Sequence, residues 1–202
     1  MKIGIIGAGR MGGTLAVLLA HAGHTVLPAN SRGAESLGDL VAEAGHNAHA
    51  TTPEAAAREG ELVIVALPWS HRDALPAPDL VEGKVVVDAM NAFGHGAANG
   101  VTSSEQTARA LPGARVVKAF NTLNFATMRA AAGRTGDDRL SLFVAGDDAK
   151  AKHVVAGLMA DMGFAAVDSG PLHEGGRRQQ PGGPVFNKKL TEHQARDLLQ
   201  LA

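Results

Sequence analysis

Cysteine and tyrosine are both absent from this sequence. Without a thiol there is no thiol–disulfide relay and no thiolate–metal centre. Without a phenol there is no tyrosine acid or base, which removes Ser-Tyr-Lys chemistry. A redox step must then pass directly between a bound nucleotide and an acceptor, or rely on other groups. Charge of either sign is also scarce in the balance. The formal net charge is −1, so no nucleic-acid partner is expected. No apolar run approaches the roughly 20 residues of a membrane span, and an apolar run already begins at Lys2. Neither a membrane partner nor a signal peptide is expected. Together with the missing thiols this predicts a cytoplasmic protein. At 202 residues and 45% hydrophobic content, one domain with a full core and a short appendage is expected.

What is present speaks most clearly at the start. Ile3, Ile5 and Ile6 lead into Gly7-Ala8-Gly9-Arg10-Met11-Gly12 and then into an Ala/Leu-rich stretch of helical spacing. This order predicts the strand, glycine turn and helix that bind a dinucleotide. Gly7 permits the tight turn, Gly9 lets the backbone approach a pyrophosphate, and Gly12 lets the helix pack on the strand. The helix N-terminus offers free N–H groups to the phosphates. The next strand, predicted over His24–Ala29, ends in Asn30-Ser31-Arg32. A carboxylate at such a tip would hold the ribose 2′-OH of NAD and repel a 2′-phosphate. An amide, a hydroxyl and a guanidinium stand there instead, which predicts NADP(H). Ser31 can at the same time cap a following helix.

Apolar runs alternate with helical patterns along the chain, predicting an α/β, Rossmann-type, doubly wound, mainly parallel sheet with helices on both faces. Strands are predicted at Lys2–Ile6, His24–Ala29, Asn47–Ala50, Glu61–Leu67, Lys84–Ala89, Ala114–Phe120, Leu140–Ala145 and Phe164–Asp168. Pro28 is the misfit, and it is expected at the last turn of its strand or in a bulge. Residues 1–172 are expected to form the nucleotide-binding domain, and 173–202 a Gly/Pro-rich loop and closing helix. Gly170–Pro184, with five glycines and three prolines, predicts a long irregular loop.

Ligands of such sheets bind beyond the carboxyl ends of the strands. That rule nominates Leu67, Pro68, Trp69 and His71, then Met90 and Asn91, as cofactor contacts beside Gly7, Gly9, Arg10, Met11, Gly12, Asn30, Ser31 and Arg32. It nominates Asn121, Thr122 and Pro171 for the second substrate. Trp69 can wall a nicotinamide pocket or simply pack, and His71 can touch the cofactor or line the surface. Lys118 can contact the cofactor or a structural carboxylate, with Asp88 as partner. Nine histidines raise a metal reading. His21/His24 and His46/His49 lie at helix-to-strand corners without visible carboxylate companions, and no metal site is expected.

The glycine turn, Asn30-Ser31-Arg32, Pro68-Trp69-x-His71, Val117-Lys118-Ala119-Phe120-Asn121-Thr122 and Gly170-Pro171-Leu172 occur in an order with a precedent. Over roughly residues 1–172 the chain resembles the NADPH-dependent reductases of the deazaflavin coenzyme F-420. It is also similar to the nucleotide domain of the STEAP metalloreductases. The resemblance implies hydride transfer between NADP(H) and a flat tricyclic acceptor, aligned ring to ring, with no obligatory acid or base. No catalytic residue is therefore named. F-420, FMN and FAD are the acceptors in view. A flavin or ferric reductase without deazaflavin, and a non-catalytic NADPH sensor, stand as alternatives. The tail departs from the family, whose members continue with a helix after Gly-Pro-Leu. In its place Arg177 and Arg178 can grip an acidic tail of the acceptor, or the segment can be a solvated linker. A homodimer is expected, with the tail reaching the neighbouring subunit.

Overall fold

The computed structural model describes residues 1–94 and 100–201. The elements follow in order as β1 (Lys2–Ile6), α1 (Arg10–His21), β2 (Thr25–Ala29), α2 (Gly38–Ala44), α3 (Pro53–Glu59), β3 (Leu62–Val65) and α4 (Pro78–Val81). Next come β4 (Val85–Asp88), α5 (Ser103–Ala110), β5 (Arg115–Lys118), α6 (Phe125–Ala131), β6 (Ser141–Val144), α7 (Ala149–Asp161), β7 (Ala165–Asp168), α8 (Leu172–Gln179) and α9 (Glu192–Leu199). The first five strands form one parallel sheet in the order β2-β1-β3-β4-β5. Strand order reverses between β1 and β3, which opens a crevice above their ends.

The strand residues are apolar on both faces because both faces are covered. Ile3, Ile5, Leu62, Ile64 and Val87 pack under α1, α6 and α7. Ile6, Val63, Val65 and Val86 pack under α3 and α4. Alternate residues of one strand thus serve two cores, as a two-residue period requires. Beyond β5 the chain reverses. An antiparallel bridge joins Lys118 to Ala145, and β6 and β7 form a parallel pair of their own.

The strand expected at Asn47–Ala50 does not form as a ladder, and Pro28 is the reason. Pro28 lies inside β2, paired with Ile5, and not in a bulge. Val26 N–H donates to Asn47 O, while the N–H groups of His49 and Thr51 donate to Val26 O and Pro28 O. The next bond in that alternation would come from residue 28, and proline has no N–H to give. Only isolated bridges, Val26 to Ala48 and Ala29 to Thr51, remain. β2 is an edge strand of the ladder, and its proline faces the outside.

A second correction falls on the tail. Most of the predicted Gly170–Pro184 loop is helix α8. Glycine at 175 and 176 lowers helix propensity by about 1 kcal/mol each relative to alanine. Packing overrides that cost. A Cβ at Gly175 would sit 2.5 Å from Ala145 Cβ and 2.9 Å from Ser169 Oγ, so only glycine lets the helix lie this close. The segment after Gly170-Pro171-Leu172, expected to lack a helix, therefore has one. α9 starts at a capping box on Thr191 and Gln194, and packs Ala195 and Leu199 against Phe143 and Val167.

Candidate functional site

The glycine turn is built by close approach. Gly7 adopts φ +98, and the N–H groups of Gly7 and Ala8 both donate to Ala29 O, at 2.9 and 3.0 Å. β1 is thereby tied to the tip of β2. A Cβ on Gly12 would meet Gly7 O at 2.1 Å, so α1 can sit on the turn only with glycine there. Gly9 is different. It caps α1 without a side-chain hydrogen bond, and a Cβ placed on it would meet nothing within 4 Å. The first turn of α1 thus keeps its free N–H groups beside open space.

That space continues as a crevice of about 350 Å³ over the ends of β1, β2 and β3. Gly7, Gly9, Asn30, Ser31, Arg32, Leu67, Pro68 and His71 all line it, as expected from the sequence. Ala8, Pro53, Ala66 and Ala74 line it too, and small apolar residues carry no sequence signal for that role. No acidic side chain is among the lining residues. Asn30 Oδ1 accepts from Arg32 N at 2.8 Å, which fixes the tip as a side-chain turn. The Arg32 guanidinium is exposed and has no protein partner among the described residues. Glu35, the nearest acid in sequence, folds over Gly33 and does not line the crevice.

Other nominated residues lie elsewhere. Arg10 stacks over the Phe125 ring at 5.5 Å and lines a separate cleft of about 480 Å³ between α1 and α6. Met11 is half-buried against the core, and Gly12 is buried beneath the turn. Trp69 packs in the core and lines a cavity shared with α5, outside the crevice. Its ring lies 5.1 Å beneath the Arg72 guanidinium. The turn Trp69–Ala74 has His71 on its crevice side, with the His71 N–H held by Pro68 O.

A second polar group occupies the ends of β4 and β5. Met90 is buried; its N–H donates to Asp88 Oδ1, and its carbonyl accepts from Lys118 Nζ. Burial pushes the Lys118 ammonium down, and the Asp88 carboxylate opposes that shift. Lys118 therefore has its structural carboxylate and does not line the crevice. Asn91 and Asn121 bond reciprocally: Asn91 Nδ2 donates to Asn121 O at 2.9 Å, and Asn121 Nδ2 to Asn91 Oδ1 at 3.1 Å. Thr122 O accepts from Asn187 N. Pro171 caps α8 from an exposed position. Arg177 and Arg178 lie on α8 and donate to Gly100 O and Ser169 O outside it, so both have intramolecular partners. Gln179, not selected from the sequence, is buried and donates to Ser169 Oγ at 2.9 Å. His24 has a carboxylate companion after all, Asp161, at 3.1 Å. That acid is 137 residues away and was invisible from local spacing. No group of three metal-capable side chains occurs among the described residues.

Comparison with known proteins agrees with this geometry. Residues 2–92 match the family described as NADP oxidoreductase, coenzyme F420-dependent. A hypothetical protein of Sinorhizobium meliloti is 33% identical, with a TM-score of 0.83 and 95% of each chain covered. A candidate F420-dependent NADP-reductase of Arthrobacter sp. FB24 is 30% identical with a TM-score of 0.74, covering 94% of this chain and 99% of that one. 3-Hydroxyisobutyrate dehydrogenase of Mycobacterium tuberculosis, 18% identical with a TM-score of 0.64, shares the fold. This chain spans 56% of that enzyme's length. The chain belongs to the F420-dependent NADP oxidoreductase family and carries its NADP-binding Rossmann fold.

Proposed function

We propose that this protein transfers hydride between NADP(H) and a flat deazaflavin or flavin ring. The observation that carries the cofactor reading is Arg32, a guanidinium without a partner among the described residues, at a crevice with no acid in its lining. The residues present fit the nucleotide. Arg32 and Ser31 would hold the 2′-phosphate, with a charge-assisted bond of about 1.5–3 kcal/mol. The first-turn N–H groups of α1 and the open side of Gly9 would receive the pyrophosphate. Leu67 and Pro68 would shield the apolar ring face, and His71 would lie at the rim. When bound, NADPH supplies a hydride, and the acceptor takes one further proton from water as NADP⁺ is released.

The chain's own part is alignment. With no thiol and no phenol, and with neutral Asn91, Asn121 and Thr122 at the ends of β4 and β5, the site offers orientation over acid–base work. Holding two rings in reacting geometry can lower a barrier by up to about 7–11 kcal/mol. Similarity to a candidate F420-dependent NADP-reductase supports the deazaflavin as acceptor. The test follows NADPH absorbance with F-420, FMN, FAD and ferric chelates offered separately. Rapid loss with a ring acceptor is expected. Tight NADPH binding without turnover on any acceptor would favour a sensor and contradict the proposal.

A further inference from the structure

Phenylalanine is scarce here, six in the whole chain, and folding buries half of them. Phe120, Phe143 and Phe164 are at most 1% exposed. Phe93 is 64% exposed, more than any other large hydrophobic side chain among the described residues. It stands where the chain leaves the sheet after β4, two residues beyond Asn91. The ring is packed edge-to-face on Phe186, with centroids 6.0 Å apart and planes at 71°.

Phe186 is itself fixed from behind. Val185 beside it is fully buried in the core formed with Phe143. Asn187 after it adopts φ +55, in the left-handed region, and donates its N–H to Thr122 O at 2.7 Å. Asn121 ties the same place to Gln179 O on α8 and to Asn91 at the end of β4. The ring pair is thus anchored to the ends of β4 and β5. β4 pairs with β3, whose end leads to Leu67 and Pro68 in the crevice. All five strands of the sheet are parallel, so the pair and the crevice both lie on the carboxyl-end side of the sheet.

We infer that Phe93 and Phe186 form the stacking site for the acceptor, a planar conjugated ring bearing an anionic tail. The inference rests on the hydride-transfer reading and gives the acceptor its place on this chain. Phe93, 64% exposed beside Phe186, leaves aromatic surface that another π-system can stack on. Lys188 and Lys189 follow Phe186 directly after Asn187, exposed and without an acidic partner among the described residues, and so select for negative charge. The same strand-end group holds three buried oxygens without hydrogen bonds: Asn121 Oδ1, Thr122 Oγ1 and Gln179 Oε1. That is polar capacity the fold leaves unused at this end of the sheet.

The experiment measures binding of F-420, FMN and riboflavin to the full chain, with NADP⁺ titrated in parallel. The variants are Phe93→Ala, Phe93→Leu, Phe93→Trp and Lys188→Ala/Lys189→Ala. Phe93→Ala and Phe93→Leu are expected to weaken all three rings about tenfold, and Phe93→Trp to retain them. The lysine variant is expected to weaken F-420 and FMN about threefold while sparing riboflavin, which has no phosphate. NADP⁺ affinity stays at the wild-type value throughout. Unchanged ring affinity in Phe93→Ala and Phe93→Leu would overturn the stacking site and leave the hydride-transfer reading standing. A wild-type chain that binds NADP⁺ but none of the three rings would overturn that reading, and this site with it.

Discussion

Lys118 and Asp88 face each other across the ends of β5 and β4, Nζ 3.4 Å from Oδ2, with both side chains buried. The pair is closed by backbone: Met90 gives its N–H to the carboxylate and its carbonyl to the ammonium. It fixes the turn that leads to Asn91. Removing one partner strands a buried charge, which costs about 3–5 kcal/mol. Lys118→Met alone should therefore lower the urea midpoint far more than Lys118→Met combined with Asp88→Asn. A double variant whose loss equals the sum of the losses of Lys118→Met and Asp88→Asn measured singly would show that the two side chains act independently.

Glycines 9 and 12 lie in one turn and predict opposite phenotypes. Gly9→Ala adds a Cβ to open space at φ −81, so thermal stability should stay near wild type while NADP⁺ binding falls. Gly12→Ala drives a Cβ onto Gly7 O and should lower the melting temperature outright. Melting curves with and without NADP⁺ separate the two. A Gly9→Ala chain that binds NADP⁺ normally would contradict the placement of the pyrophosphate.

Glu105 links α5 to α8. Burial raises its carboxyl, but the Thr102 N–H, the Thr102 hydroxyl and His173 outweigh that and hold it below the ordinary 4.5. A carboxyl depressed by folding stabilises the fold above its unfolded value, and that contribution is lost as pH falls through the folded value. The melting temperature should drop as pH falls below 4.5. Glu105→Gln keeps the capping geometry and loses the charge, so its acid limb should be flatter. Parallel curves for the two proteins would exclude this group from the acid response.

Much of the candidate crevice was legible because its information is local. A glycine turn between a strand and a helix, and a strand tip without an acid, each occupy a few consecutive residues, and the crevice contains both. Local signals also mark two helix starts, Thr52 capping α3 ahead of Pro53 and Thr191 opening α9. Illegible features depend on contacts made at a distance. Helix α8 contradicts the propensity of Gly175 and Gly176 because Ala145 and Ser169 lie against them. Pro28 reads as a disruption until β2 proves to be an edge whose outer side needs no further donor. Arg10 is nominated as a cofactor contact by its place in the turn; its guanidinium lies over Phe125, a ring supplied 115 residues later, and lines a separate cleft. Phe93 and Phe186 meet only because α8 carries the chain back over the ends of β4 and β5.

On the proposed reading Arg32 decides which dinucleotide is held. Calorimetric titration of NADP⁺ and NAD⁺ into the wild type and Arg32→Ala puts that to the test. NADP⁺ should bind the wild type at least about tenfold more tightly than NAD⁺, and Arg32→Ala should erase most of that margin while leaving NAD⁺ unchanged. Equal heats and affinities for the two nucleotides in the wild type, or equal losses of both in the variant, would contradict a 2′-phosphate at the tip of β2.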